Sequence, residues 1–138
     1  IRKSSILITG AGGEVGSQLI KNFSKIENVN IITFDLHPLS TNIEKLVSTH
    51  IIGNILDNKL IDQINFEYEI KEIYHLAAVI GVKHVLKAPY DVLTKNFILL
   101  RNALEISRRQ KNLERFVFAS TSEVYSGTLN QFINRLRG

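Results

Sequence analysis

Three observations predict an α/β fold, a doubly wound parallel sheet, for this chain of 138 residues. An apolar run ends in a turn with glycines at Gly10, Gly13 and Gly16, and an amphipathic pattern follows it. Apolar runs of strand length then alternate with segments of helical periodicity, the order that yields right-handed βαβ crossovers. The strand-like runs are apolar throughout and do not alternate with polar residues, as expected of strands covered on both faces.

Taken in order, the first strand is expected at about 4–9 and a helix at about 14–26. Val15, Leu19, Ile20 and Phe23 recur on one face of that helix at three- and four-residue spacing. A second strand is expected at about 29–34. Pro38, Ser40 and Asn42 break the pattern, so 36–45 reads as a loop. A third strand covers 46–52 and ends at Gly53; a short helix covers about 57–65; a fourth strand covers 72–77. Residues 79–88 read as loop or irregular helix. Pro89 opens a long helix to about 110, because a first-turn proline lacks an N–H that would be unpaired there anyway. Val92, Leu93, Phe97, Leu100 and Leu104 form its expected buried stripe. A fifth strand is expected at 115–120, and Leu129, Phe132, Ile133 and Leu136 give the tail the pattern of a short amphipathic helix.

The glycine turn carries the chemistry. A strand that feeds a Gly-rich turn opening a helix presents unpaired backbone N–H groups and the positive end of the helix dipole, and its glycines let a ligand approach the backbone. It is a cradle for a diphosphate. Asp35 ends the next apolar run, about 20 residues on, where a carboxylate accepts hydrogen bonds from a ribose diol. The competing reading of Asp35 is an ordinary loop carboxylate.

Composition narrows the class. The chain is 44% hydrophobic, enough for a core of ordinary size, and its length suits one domain. The net charge is +4, with scattered basic residues. Arg108, Arg109 and Lys111 cluster near the end of the long helix, where cations favour the dipole, so a solvated helix end is preferred to a nucleic-acid patch. A mildly positive field suits an anionic substrate. Without cysteine there is no disulfide framework and no zinc site of the usual type, and no metal is expected. No apolar run has the length of a membrane span and no signal peptide is visible, so a cytoplasmic protein is expected, with no membrane partner.

Five segments together resemble the extended short-chain dehydrogenases/reductases, the NAD-dependent nucleotide-sugar epimerases, dehydratases and decarboxylases. They are Thr9-Gly-x-x-Gly-x-x-Gly16, Gly53-Asn-Ile55, His75-Leu-Ala-Ala78, Asn96 in the long helix, and Ser120-Thr-Ser-Glu-Val-Tyr125. The resemblance covers the chain up to Tyr125. It implies a Rossmann-type sheet with NAD as cofactor and a nucleotide sugar as substrate. Gly10, Gly13, Glu14, Val15 and Gly16 would cradle the pyrophosphate, and Asp35 would bind the adenosine ribose and favour NAD over NADP. Asn54 and Ile55 stand where the family usually has Asp-Ile beside the adenine. Leu76, Ala77 and Ala78 would line the cofactor, and Asn96 is counted with this set. Thr121 matches the residue that hydrogen-bonds the reacting sugar hydroxyl, and Glu123 the glutamate that dehydratases and decarboxylases use in acid/base work.

Plainer readings stand beside these. His75, inside an apolar strand, reads as a satisfied core imidazole before a catalyst. His37, Lys83 and His84 read as surface residues, and Thr121 and Glu123 also suit the cap of a strand end. Mid-helix asparagine is intrinsically disfavoured, so Asn96 is expected to have a specific partner. The family often dimerises through helices, among them the one at 89–110. A homodimer is therefore an option, although Lys95, Arg101 and Arg108 leave that helix without a clear apolar second face.

One departure matters most. The family's Tyr-x-x-x-Lys pair belongs some tens of residues after Tyr125. Tyr68, Tyr74, Tyr90 and Tyr125 are followed four positions on by Glu72, Ala78, Thr94 and Leu129. The expectation is an incomplete NAD-binding domain over 1–138 without the substrate part. It belongs either to an enzyme working through a 4-keto-sugar intermediate or to a non-catalytic NAD-binding regulatory module.

Overall fold

In a computed structural model the described residues are 4–78 and 86–119. Nine elements follow in order: β1 (Ser4–Thr9), α1 (Glu14–Phe23), β2 (Asn30–Asp35), α2 (Thr41–Glu44), β3 (Thr49–Ile52), α3 (Asn58–Glu67), β4 (Glu69–His75), α4 (Pro89–Arg109) and β5 (Arg115–Phe118). All strands pair in parallel in the order β3-β2-β1-β4-β5. This is the Rossmann-type sheet that the alternation of strand and helix patterns predicts. Strand order reverses direction at β1, and ligands of such sheets bind at the carboxyl ends of the strands beside that switch point.

Alternate side chains of the strands feed two cores. Leu7, Ile32, Phe34 and Ile73 face α3 and α4, where Ile61, Ile64, Ala103 and Ile106 meet them. Ile6, Ile8, Ile31 and Tyr74 face the other layer, where Ile20 of α1 and Ile43 of α2 cover them. Burial on both faces is why β1 and β2 read as unbroken apolar runs. Gln110, just past α4, stitches the base of the α3–α4 layer to β4 through its side chain. Its carbonyl accepts from Ile70 N–H at 2.9 Å, and its amide donates to Asn65 Oδ1 at 2.8 Å and to the Tyr68 carbonyl at 3.3 Å.

The structure corrects several sequence-based expectations. The loop expected at 36–45 contains α2, opened after Ser40, and β3 begins at Thr49, not at 46. β4 runs from 69 to 75, three residues earlier than its apolar pattern suggests at the start, because Glu69 to Ile70 already pair with Ser4 and Ser5 across a bulge. On α1, Ile20 is buried and Leu19 and Phe23 pack on the core, but Val15 is 63% exposed at the first turn.

The stripe on α4 is the largest correction. Leu93 is 71% exposed, Phe97 69% and Leu104 46%, and the fully buried residues are Asn102, Ala103 and Ile106, with Leu99 packed beside them. At about 100° per residue the two rows lie on opposite sides of the helix. Periodicity finds both rows and favours the one with larger side chains. The layer in contact with α3 uses smaller ones, because the two helices pack against each other there. Tyr90, Leu93, Phe97 and Leu104 therefore form the apolar second face that the sequence reading did not credit to this helix. The tail helix expected from 128 lies outside the described residues.

Candidate functional site

The glycine turn is built by close approach. Gly10 follows β1 with φ +68°, and a Cβ there would lie 2.6 Å from the Ala77 backbone nitrogen, so the turn tolerates only glycine. A Cβ on Gly16 would lie 2.6 Å from the Ala11 carbonyl oxygen, which lets α1 start tight against the turn. Gly13 differs. Its φ is −77°, an ordinary value, and the nearest atom to an added Cβ is the Gly10 carbonyl oxygen at 3.7 Å. Glycine at 13 therefore leaves open space in front of α1. That helix has no side-chain cap at its N-terminus, so its first N–H groups still call for an acceptor.

Asp35 closes the turn from the end of β2. Its Oδ2 accepts from Gly12 N–H at 2.8 Å and its Oδ1 from His37 N–H at 3.1 Å. The carboxylate is thereby fixed beside the cradle rather than loose in a loop. Beyond β3, Gly53 N–H donates to the Asp35 carbonyl at 3.0 Å. Asn54 Oδ1 accepts from Leu56 N–H at 3.0 Å, an Asx turn that folds the loop on itself.

A third strand end completes the wall. Leu76 N–H donates to the Thr9 carbonyl at 3.0 Å. Thr9 Oγ1 lies 2.7 Å from His75 Nδ1 and accepts from Ala77 N–H at 3.3 Å. Paired with a hydroxyl inside the core, the imidazole has no carboxylate partner to hold a charge. Burial agrees, pushing the His75 pKa down to about 4. The ring also stacks on Phe118 of β5, centroids 6.1 Å apart. His75 is a satisfied core imidazole, as its sequence context suggests.

These strand ends enclose a cleft of about 330 Å³ lined by Gly10, Gly13, Asp35, Asn54, Ile55, Leu76, Ala77 and Ala78. Eight of the residues singled out from sequence thus share one cavity. Glu14 and Val15 begin α1 and are exposed; Gly16 is buried under the turn. Asn96 is half-buried on α4, one turn before Leu99, which does line the cleft. Sequence reasoning missed Phe34, Leu36, His37, Gly53 and Leu99. Their shared signal is position, since most flank a strand's carboxyl end. Thr121 and Glu123, with Lys83 and His84, lie outside the described residues. The cleft offers backbone donors, one carboxylate and apolar walls, a set that suits a phosphorylated nucleoside.

Comparison with known proteins agrees with this geometry. The profile of the family described as "NAD dependent epimerase/dehydratase family" matches residues 6–135. A dTDP-D-glucose 4,6-dehydratase of Dictyostelium discoideum is 33% identical over 132 residues, covering 90% of this chain and 30% of the relative. A UDP-N-acetyl-alpha-D-glucosaminuronate decarboxylase of Bacillus cytotoxicus is 32% identical over 126 residues, 89% of this chain and 38% of the relative. Among solved structures, MoeE5 in complex with UDP-glucose and NAD superposes with a TM-score of 0.70 at 30% identity, over 88% of this chain and 38% of that one. The chain spans about a third of the length of these relatives. No helix among the described residues is long and apolar enough to cross a membrane.

The His75 environment yields a pH prediction. An unfolded histidine titrates near 6.5 and the folded one at about 4, so between these values the unfolded chain binds more protons. This share of stability is complete above pH 6.5 and is lost as pH falls toward 4. Thermal unfolding of the parent chain is expected to show a falling Tm over that range, with a shallower slope for His75→Leu. Equal slopes would contradict the assignment.

Proposed function

The chain belongs to the NAD dependent epimerase/dehydratase family, and from that premise we propose that it is the cofactor-binding part of an enzyme that epimerises, dehydrates or decarboxylates a nucleotide sugar. The observation that carries the reading is the cleft that joins the Gly10–Gly16 turn, Asp35, the 53–55 loop and the 76–78 segment. NAD is the family's cofactor, and the site fits it: the open space at Gly13 and the uncapped start of α1 suit a diphosphate. The backbone at Gly13, Glu14 and Val15 would hold the pyrophosphate and Asp35 the adenosine ribose. Asn54 and Ile55 would face the adenine, and Leu76, Ala77 and Ala78 would flank the cofactor where small side chains permit close approach.

When bound, NAD supplies the hydride acceptor for the sugar. A 4-keto sugar acidifies the neighbouring C–H, which opens epimerisation, loss of water and decarboxylation alike. In this reading Thr121 holds the reacting hydroxyl and Glu123 moves a second proton, a step that dehydration and decarboxylation need. The Tyr-x-x-x-Lys base is not among the 138 residues.

We assign a homodimer contact to the exposed face of α4. Tyr90, Leu93, Phe97 and Leu104, spaced three, four and seven residues apart, share one side of a 21-residue helix, and such a row packs against its own symmetry mate.

Three measurements test these readings. In calorimetric titration the chain is expected to bind NAD, and NADP at least ~10-fold more weakly because its 2′-phosphate meets the Asp35 carboxylate. Gly13→Val should fold normally and lose NAD binding, since its side chain fills the open space; tighter NADP binding or an unaffected variant would contradict the site. A longer form carrying a downstream Tyr-x-x-x-Lys should turn over a nucleotide sugar, and Thr121→Val should slow it more than Asn54→Ala. The 138-residue chain should not turn over, because general-base catalysis is worth roughly 10²–10⁴-fold and orientation is lost with it; robust turnover would sink this account. Sedimentation should find a dimer that Phe97→Glu converts to a monomer, and a monomeric parent would rule the contact out.

A further inference from the structure

A polar residue buried in α4 reaches the nucleotide cleft without lining it. Asn102 is 4% exposed, and its Nδ2 donates to the Ile55 carbonyl at 2.8 Å, 47 residues away in sequence. Asparagine is a poor choice for a helix interior, ranking well below alanine in intrinsic preference. Burying its amide is unfavourable unless the amide is bonded, so the contact mostly offsets its own desolvation. Ala103 and Ile106 on the same helix face show what plain core packing selects here. Asn102 departs from that selection at the point where α4 meets the wall of the cleft.

The Ile55 side chain of that wall is packed in the core, but its backbone has few hydrogen bonds beyond its own turn. Within 53–57 the bonds are local: Asn54 Oδ1 accepts from Leu56 N–H, Asp57 N–H donates to the Asn54 carbonyl at 2.9 Å, and Asp57 Oδ1 accepts from Lys59 N–H to cap α3. Two longer ties fix this turn in the fold. Gly53 N–H donates to the Asp35 carbonyl on the sheet side, and the Ile55 carbonyl accepts from Asn102 on the helix side. Gly53, Asn54 and Ile55 line the cleft between these ties. Loss of the helix-side tie leaves a buried carbonyl unpaired and frees the Ile55 end of the wall.

We propose that Asn102 is a positioning residue for the adenine-side wall of the cleft, setting nucleotide affinity by holding the Ile55 carbonyl against α4. The proposal rests on the reading of the cleft as the cofactor site. An apolar residue of similar size at 102 would preserve the core and lose the tie.

Calorimetric titration with NAD and with AMP on the parent chain, Asn102→Leu and Ile106→Ala tests it, with Asn102→Ser as a second variant if the leucine does not fold. Ile106→Ala truncates the same helix face one turn on and reports general destabilisation. Asn102→Leu is expected to weaken NAD and AMP by the same factor, at least fivefold, with Ile106→Ala within twofold of the parent. Affinity within twofold of the parent for the Asn102 variants would overturn the proposal. An equal loss in Ile106→Ala, or a loss seen with NAD and absent with AMP, would overturn it as well. A parent that binds neither nucleotide would instead remove the cofactor reading, and this proposal with it.

Discussion

The backbone of Gly10 turns directly against the backbone of Ala77, and the rest of the site depends on that approach. With φ +68° and no room for a Cβ, the chain leaves β1 in a direction that only glycine allows. The Thr9 hydroxyl keeps the two strand ends in register by serving His75 Nδ1 and Ala77 N–H together. Gly10 N–H donates to the Phe34 carbonyl on the other side, so the turn is held by β2 and β4 at once. Asp35 then reaches Gly12 N–H, and the carboxylate and the cradle become one rigid unit.

From this centre the functional geometry spreads outward with decreasing local constraint. The turn and Asp35 are set by backbone bonds within a few residues of each other. The 53–57 loop is set partly by its own Asx turn and partly by contacts from elsewhere in the fold. The sheet's two cores supply the rigidity behind both, since β1 and β2 are buried from either side. The cleft therefore has one end built by the glycine turn and Asp35 and another, at the 53–57 loop, tied to α4.

The sequence made the central sheet, the turn and the cleft's main residues legible, because each is encoded over short spans. Unbroken apolar runs mark strands covered on both faces, and glycines at fixed offsets mark close approach. Three features were not legible. The four-residue helix α2 is too short for periodicity to register. The outer face of α4 was read as the packed one, since two apolar rows compete there and only contact with α3 chooses between them. The buried tie of Asn102 to the Ile55 carbonyl was not foreseen, because its partner lies 47 residues away and nothing in local sequence announces it.

The most direct test of the account is an NMR titration of the ¹⁵N-labelled chain with NAD, followed amide by amide. The account predicts saturable shifts at Gly12, Gly13, Glu14, Asn54 and Ile55, with the amides around Gln110 at the base of the sheet unmoved. Shifts centred on the base of the sheet, or none at millimolar NAD, would contradict it.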